Sequence, residues 1–425
     1  MDEFLPIAVV AALVLAYGLV SHRLATTPIT GPIIFVGAGM VFGLEGFDLI
    51  EVDAGSGVLR TVAEGTLVLL LFTDAIRIDL KRLRIQAALP ARLLGIGIPL
   101  TVALGTLVGA VLLTGLSVWE AALVAAILTP TDAALGQAVV TNSRVPARIR
   151  QAINVESGLN DGLMLPVVMV LLALTGAGLG LQSPQSWARF GFEQIGWGVA
   201  TGVLVGYTGG WLLDRAAGLG WVDGVFRQLA TLAIGVGAFA GAELVGGNGF
   251  VAAFVAGLGF GAAARDHCQG AYDFAEDEGH FLAMLTFLFF GAALAGPLLD
   301  TLDWRIALYV TLSLTVVRMV PVALALIGTG LRAPTVAYIG WFGPRGIASI
   351  LFVLLVLDQA ALPGASRGLA TVVWTVLASV VAHGATSWIL SERYGMWFER
   401  HRGEAESRSV EMMPTRTPVR RPGVR

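Results

Sequence analysis

The sequence predicts an all-α polytopic membrane protein with about thirteen transmembrane helices, and its composition is the first reason. Of the 425 residues, 56% are hydrophobic and only 13% are charged, and the mean hydropathy is +0.78. A soluble domain carries about 25% charged residues, so water would not tolerate the surface of such an apolar chain. The 54 glycines agree with this class, because close helix packing in membranes favours small residues.

Apolar stretches that are long enough for a membrane crossing recur along the chain. A helix needs about 20 apolar residues to cross a hydrocarbon layer about 30 Å thick. The stretch after Met1 starts with acidic rather than basic residues, which favours a retained first helix over a secretory signal. The predicted spans are 4–23, 29–45, 58–77, 91–116, 118–141, 148–176, 192–213, 226–246, 247–264, 279–299, 304–330, 334–358 and 366–390.

The distribution of basic residues predicts the orientation of these spans. Cytoplasmic loops of membrane proteins are enriched in Lys and Arg. With the N-terminus outside, thirteen basic residues fall in the inner loops and four in the outer loops. The C-terminus is then cytoplasmic, and the arginine-rich residues 391–425 form a short polar tail that we expect to be flexible.

Two of the predicted helices are interrupted by proline beside a charged residue. Pro130 lies within the fifth span, directly before Thr131 and Asp132, and Pro344 lies within the twelfth, directly before Arg345. Proline inside a helix removes a backbone hydrogen bond and frees a carbonyl group. In lipid such groups are tolerated only where protein or a water-filled cavity satisfies them. We therefore expect the two breaks to cross near the bilayer centre, the alternative being two harmless kinks.

The two breaks also indicate an internal repeat. They occupy matching places in the two halves of the chain, and Ala-Gly-Met-Val-Phe-Gly at 38–43 is similar to Ala-Gly-Leu-Gly-Phe-Gly at 256–261. Inverted repeats with discontinuous helices are common in secondary transporters. Six spans, one linking span and six further spans would invert the second copy relative to the first. We expect residues 1–390 to form one transmembrane domain, with inverted repeats at about 4–176 and 226–390 and a linking helix at about 192–213.

Ionisable residues inside the sixth span indicate an ion site. Each charge at the bilayer centre costs about 2.5–3.5 kcal/mol on insertion scales, so such residues usually mark ion or proton pathways, or pair with one another. Ser157 and Asp161 are four residues apart and share one helix face, and Glu156 and Asn160 form a similar pair on the adjoining face. A carboxylate with a hydroxyl one turn away suits a small hard cation, which prefers oxygen ligands.

Residues outside the sixth span complete this predicted half-site. Thr131 and Asp132 lie at the first break, and Asp74 in the third span is able to reach the same place. For Asp74 both cation contact and a polar packing role stay open. Thr131 would contribute its backbone carbonyl as much as its hydroxyl.

Four strings of residues resemble those of a known family. They are Pro-Thr-Asp-Ala-Ala-Leu-Gly at 130–136, Val-Pro-Ala-Arg-Ile-Arg at 145–150, Glu-Ser-Gly-Leu-Asn-Asp-Gly at 156–162 and Gly-Pro-Arg-Gly-Ile-Ala-Ser at 343–349. They are similar to sodium/proton antiporters of the type shared by bacterial NhaP proteins and eukaryotic NHE exchangers. The resemblance covers the chain to about residue 390. It implies a homodimer in which each protomer has a dimerisation domain and a mobile six-helix core.

The resemblance also implies a role for each candidate residue. Asp161 would bind cation and proton in turn, with Ser157, the backbone near Thr131 and Asp74 as further cation ligands. The remaining residues would support the site: Asp132 and Asn160 would stabilise the crossed breaks, Glu156 would pair with Arg345, and Arg318 matches a second family arginine. The Asn160–Asp161 pair resembles the electroneutral branch, whose electrogenic relatives carry two aspartates.

Two departures from the family pattern leave the cation open. Pro130 precedes Thr131 and Asp132, whereas many relatives have proline after the aspartate, and position 74 is Asp where several relatives have the longer Glu. Either change affects the size of the cavity and so the choice between Na⁺, Li⁺ and K⁺.

The sequence thus predicts a secondary antiporter of the plasma (inner) membrane that exchanges Na⁺, Li⁺ or K⁺ for H⁺ by alternating access. We expect no enzyme activity, no catalytic residue, no cofactor and no metal other than the transported monovalent cation. We expect the lipid bilayer and a second copy of the chain as partners, and the net charge of −3 argues against nucleic acid. A K⁺-preferring antiporter, a passive cation channel, a symporter of an organic anion and a non-transporting sensor remain alternatives.

Overall fold

The structure is a computed structural model, and the residues that it describes contain helices and connecting segments but no strand. The described residues are 4–24, 27–50, 57–76, 78, 88–132, 135–136, 139, 142–175, 184–264, 269–359, 365–401 and 403–407.

The helices of the described residues are numbered in chain order. The first half of the chain contains α1 Phe4–Leu24, α2 Gly31–Phe42, α3 Gly57–Ile76, α4 Ala88–Leu112, α5 Val118–Ile127, α6 Ala147–Leu174 and α7 Pro184–Gly218. The second half contains α8 Gly224–Leu244, α9 Gly249–Ala263, α10 Gln269–Phe290, α11 Trp304–Ala325, α12 Ala333–Trp341, α13 Ile347–Gln359, α14 Ala365–Arg400 and α15 Glu404–Ser407.

Many of these helices are apolar enough for a membrane. Within the described part of the chain, seven are long and apolar enough to cross a bilayer by length and composition, and four shorter apolar helices accompany them. The prediction of an all-helical chain with several apolar spans is therefore confirmed. The count of thirteen crossings and their orientation stay predictions.

Glycine allows the helices to approach each other closely, as the composition predicts. In α2, a Cβ atom at Gly39 would overlap the backbone of α10 at Leu288. In α9, a Cβ atom at Gly257 would overlap the carbonyl oxygen of Phe72 in α3. Such contact between backbones is the packing that small residues permit in membrane proteins.

Both proline breaks lie where the sequence predicts them. Helix α5 begins with a capping box, in which the Glu120 amide donates to the Ser117 hydroxyl (3.2 Å) and the Ser117 amide donates to the Glu120 carboxylate (2.7 Å). The helix ends at Ile127, and residues 128–132 are non-helical. Residues 342–346 likewise separate α12 from α13. Most of the predicted remainder of the fifth span, residues 133–141, lies outside the described residues.

The C-terminal region differs from the expected flexible tail at 391–425. Helix α14 continues without interruption to Arg400, past the predicted boundary at 390. The buried carboxylate of Glu406 in α15 then accepts hydrogen bonds from the Arg332 amide (2.9 Å) and the Thr335 hydroxyl (3.0 Å) at the start of α12. This carboxylate therefore caps an N-terminus whose orphan amides need an acceptor. Residues 408–425 lie outside the described residues.

The glycine contacts predict how stability responds to one added methyl group. Gly257→Ala places a Cβ atom against the Phe72 carbonyl oxygen, and we expect this overpacking to cost about 1–3 kcal/mol. Thermal unfolding in detergent, followed by tryptophan fluorescence, measures the loss. Gly237→Ala in α8 is the matched control, because nothing lies within 4 Å of the added atom. Equal unfolding midpoints for the two variants would show that α9 and α3 do not pack in this way.

Candidate cation-binding site

The two breaks contact each other directly. The Asp132 amide donates to the Pro344 carbonyl oxygen (2.8 Å), and the Ile347 amide donates to Oδ2 of Asp132 (3.0 Å). The Asp132 carboxylate thus lies at the N-terminus of α13, where unsatisfied amides and the helix dipole favour negative charge. A side chain at Gly346 would overlap this carboxylate, so glycine is required there.

Arg345 provides the opposite charge at the helix C-termini. Its buried guanidinium donates through Nη1 to the carbonyl oxygens of Gly343 (2.8 Å) and Thr129 (3.4 Å). These carbonyls follow the ends of α12 and α5, where backbone acceptors have lost their helical partners. The crossing therefore matches a carboxylate to a positive helix end and a guanidinium to two negative ones.

Helix α6 holds the first break from the side. The Ser157 hydroxyl donates to the Thr131 carbonyl oxygen, and the Asn160 amide donates to the Thr131 hydroxyl (2.7 Å). All three side chains are buried. One residue of the break is thus fixed through both its backbone and its side chain, which leaves oxygen atoms of Ser157 and Thr131 next to each other.

Two acidic residues lie beside this contact. Asp161 follows Ser157 by one turn of α6, and both Asp161 and Asp74 are half-buried, unlike the fully buried Ser157. A Cβ atom added at Gly158 would lie 3.8 Å from Cβ of Asp74, so α3 brings Asp74 against α6 between Ser157 and Asp161. The predicted ligand residues are therefore brought together around one segment of α6.

The predicted partner of Glu156 is wrong. Its carboxylate pairs with Arg318 of α11, Oε1 to Nη1 at 2.6 Å, and not with Arg345. The physical reason is that the Arg345 guanidinium is directed to the freed carbonyls of the two breaks. Arg318 lies against the second break as well, because a side chain at Gly343 would overlap its guanidinium. Both members of the Glu156–Arg318 pair are buried.

Two residues of α14 that the sequence does not single out contact the second break. The Arg345 amide donates to the Ser379 hydroxyl (2.6 Å), and Nε2 of His383 lies 2.9 Å from the Trp341 carbonyl oxygen. The histidines show no metal-binding spacing, so His383 carries no role at the level of the sequence. The available signal was a pair of polar residues four positions apart in an apolar helix, the same spacing as Ser157 and Asp161.

The family follows from comparison of the whole chain. Residues 9–392 match the family model described as the transmembrane sodium/hydrogen exchanger. The chain belongs to the sodium/hydrogen exchanger family. The resemblance read from the four motifs is thereby confirmed, and the chain is a multi-pass membrane protein.

Named relatives of the chain are antiporters. The K(+)/H(+) antiporter NhaP2 of Shewanella sp. (strain MR-4) is 26% identical over 387 residues, which are 90% of this chain and 65% of that protein. The Na(+)/H(+) antiporter 2 of Zygosaccharomyces rouxii is 28% identical over 265 residues, which are 56% of this chain and 31% of that protein. This chain thus spans 65% of the length of the Shewanella relative and less of the yeast one.

A solved structure shows the same fold. The sodium proton antiporter MjNhaP1 from Methanocaldococcus jannaschii, determined at pH 8, matches with a TM-score of 0.74. The match covers 90% of this chain and 100% of that chain, at 19% sequence identity.

The corrected pairing of Glu156 predicts which arginine it is coupled to. Removing one member of a buried ion pair costs about 3–5 kcal/mol, because the other charge is left uncompensated. We expect Glu156→Gln and Arg318→Gln each to destabilise the protein by that order, and the double variant to lose less than the sum. The free energy of unfolding in detergent micelles measures the coupling.

The matched cycle combines Glu156→Gln with Arg345→Gln. We expect a smaller coupling there, because Arg345 is hydrogen-bonded to the carbonyls of Thr129 and Gly343. A coupling to Arg345 that equals or exceeds the coupling to Arg318 would contradict the pairing.

Proposed function

We propose that the chain exchanges Na⁺, Li⁺ or K⁺ for H⁺ across the membrane, and that cation and proton compete for Asp161. The observation that carries this proposal is the position of Asp161. It is a half-buried carboxylate one helical turn from the Ser157 hydroxyl, which contacts the Thr131 carbonyl at the crossed breaks. The names of the antiporter relatives agree with it.

The proposed ligand set consists of oxygen atoms alone. Ser157 Oγ and the Thr131 carbonyl oxygen are within hydrogen-bond distance of each other, so one small cation is able to touch both. Asp161 supplies the negative charge from the same face of α6, and Asp74 supplies a second carboxylate from α3. Hard monovalent and divalent cations both prefer oxygen ligands, and an incomplete carboxylate cage favours a weakly held ion.

Competition for one carboxylate couples the two flows. A carboxylate removed from bulk water is stabilised by a neutralising partner, which is either a proton or a cation but not both. Each half-cycle then carries one positive charge on Asp161, and the exchange is electroneutral. The neighbouring position is Asn160, whose amide donates to Thr131, so it adds no second charge.

The charges around the crossing support the proposal. Its acidic residues are Asp74, Asp132, Glu156 and Asp161, and its basic residues are Arg318 and Arg345. The Glu156 carboxylate pairs with Arg318, whereas Asp132 and Arg345 lie at opposite helix ends. The acidic excess suits a transported cation better than an organic anion.

The proposed architecture is thirteen spans in two inverted repeats, with the N-terminus outside. Two symmetric contacts support it. Gly39 of α2, in the first half of the chain, packs on α10 of the second half. Gly257, at the matching place in α9 of the second half, packs on α3 of the first half. The two breaks contact each other through Asp132 and Pro344. Alternating access then follows from rocking of a six-helix core that contains the crossing against a dimerisation domain, in a homodimer in the plasma membrane.

A K⁺-preferring antiporter is the second candidate, because the NhaP2 relatives are named K(+)/H(+) antiporters. The same site serves both candidates. The space that Asp74 leaves for the ion would decide between them.

The test of the function is cation-dependent proton flux in liposomes. Purified protein is reconstituted with an internal pH dye, a proton gradient is imposed, and Na⁺, Li⁺ or K⁺ is added outside. We expect a pH response from the wild type and, for Asp161→Asn, a response no larger than that of empty liposomes. Asp303→Asn is the matched control, because it changes a carboxylate that caps α11 far along the chain, and Asn caps helices equally well.

Each outcome of this test is decisive. Exchange by Asp161→Asn would remove Asp161 from the mechanism. No response of folded, inserted wild type to any of the three cations would refute the proposed substrate class.

A second variant pair tests Asp74 as a cation ligand. Asp74→Asn removes the charge at nearly constant size, and we expect the apparent KM for the cation to rise about tenfold, which corresponds to about 1.4 kcal/mol. Asp74→Glu keeps the charge and should change the order of preference among the three cations. Unchanged KM values and selectivity in both variants would assign Asp74 to packing alone.

A further inference from the structure

The second break is held by hydrogen bonds from α14 that no part of the proposed mechanism uses. The Arg345 amide donates to Ser379 Oγ (2.6 Å), Ser379 Oγ lies 3.1 Å from Nδ1 of His383, and Nε2 of His383 lies 2.9 Å from the Trp341 carbonyl oxygen. Ser379 and His383 are completely buried. The three contacts thus connect the two ends of the non-helical segment 342–346 through one side of α14.

The chemistry of the groups determines where the protons lie along this series of hydrogen bonds. A carbonyl oxygen only accepts, so Nε2 of His383 carries the hydrogen that is donated to Trp341. Nδ1 of His383 lies 3.1 Å from Ser379 Oγ and 3.1 Å from the Ser379 carbonyl oxygen. In a neutral ring that is protonated at Nε2, Nδ1 only accepts, so its partner is the Ser379 hydroxyl, which itself accepts from the Arg345 amide. A neutral imidazole therefore satisfies every group from the Arg345 amide to the Trp341 carbonyl.

Both backbone groups are ones that the break deprives of a helical partner. The Trp341 carbonyl is in the last turn of α12, where it accepts from the Gly343 amide (2.8 Å) as well as from His383. The Arg345 amide precedes the first turn of α13 and has Ser379 as its acceptor. Because the Arg345 guanidinium lies on the carbonyls of both breaks, the position of its backbone determines how the breaks cross.

The first break has an equivalent support on α6. Ser157 contacts the backbone of Thr131, the residue after the first proline, and Ser379 contacts the backbone of Arg345, the residue after the second. Four residues after each serine stands the residue that differs: Asp161 in the first half and His383 in the second. The second half thus has an imidazole, hydrogen-bonded through both nitrogens, where the first has a carboxylate.

We propose that Ser379 and His383 are positioning residues that hold the second break in a fixed geometry and thereby set the apparent cation affinity at Asp161. At the second break they are the counterpart of Ser157 and Asp161 at the first, where the proposed exchange of ions takes place. The proposal rests on the proposed function, since it concerns the affinity of the same site.

Substitutions separate hydrogen bonding from packing. His383→Phe keeps an aromatic ring beside Trp341, whose ring centre lies 5.1 Å away, but it removes both nitrogens. His383→Gln restores a donor and an acceptor in one side chain. Ser379→Ala removes the acceptor of the Arg345 amide, and Ser379→Thr restores it. Thr386→Val is the matched control. Thr386 lies on the same helix as His383 and accepts a hydrogen bond from the Trp341 indole (3.1 Å), but it does not contact the backbone of the break.

The first readout is the cation dependence of proton flux in liposomes. We expect His383→Phe and Ser379→Ala to raise the apparent KM about tenfold with a smaller change in maximal rate, since a buried backbone group loses a hydrogen-bond partner in each variant. Recovery of most of the affinity in His383→Gln and Ser379→Thr, and an unchanged KM in Thr386→Val, complete the expected pattern. An unchanged KM in both His383→Phe and Ser379→Ala, or no recovery in the conservative variants, overturns the proposal.

The second readout does not depend on transport. Hydrogen–deuterium exchange followed by mass spectrometry reports the protection of the backbone amides of 342–347. We expect faster exchange there in Ser379→Ala and His383→Phe than in wild type and Thr386→Val. Unchanged protection overturns the positioning role even where transport is altered. If the wild type transports no cation, faster exchange in these two variants supports the positioning of the break while the proposed function is refuted.

Discussion

The structure around the site depends on one constraint: each backbone amide and carbonyl freed by the two breaks needs a partner that water does not supply. Within an apolar protein, the end of α5 and the interruption between α12 and α13 expose acceptors at the ends of α5 and α12 and donors at the start of α13. Arg345 contacts the acceptors, Asp132 contacts a donor, and the two breaks contact each other. Ser379 and His383 of α14 are the partners of two more such groups, the Arg345 amide and the Trp341 carbonyl, and α6 holds the crossing from the side.

The helix breaks and the face shared by Ser157 and Asp161 were predictable from the sequence, whereas the individual contacts between helices were not. Both breaks could be found because proline interrupts a helix and because a charged residue beside it is costly in an apolar span. Ser157 and Asp161 could be assigned to one face by helical periodicity, and their proximity to Thr131 followed from the expected crossing. The glycine content predicted close packing as a class, but only the structure shows which backbones meet, such as Gly257 and Phe72.

The sequence could not show which of two similar side chains pairs with a given residue in the folded protein. Glu156 had two buried arginines available, and spacing along the chain does not say which one reaches it. The structure assigns Arg318, because the freed carbonyls take the guanidinium of Arg345. The role of His383 is hidden for a related reason. A single histidine in an apolar span acquires meaning only when its neighbour in space, the end of α12, is known. The end of α14 could not be placed because charged residues past 390 suggest a tail, whereas they continue a helix.

The cap at the start of α12 has a consequence for how this protein is handled. Glu406, which lies after the last apolar helix, supplies the acceptor for the amide of Arg332, and Arg148 on α6 donates to the neighbouring Ala405 carbonyl. The helices that carry the second break and the proposed ion-binding carboxylate, α12 and α6, are thus held at their ends by residues 405 and 406, which lie after α14 and look dispensable. Truncating the protein after its hydrophobic region, a common step before crystallisation, would remove these hydrogen bonds. The Arg332 amide at the start of α12 would then lose its acceptor.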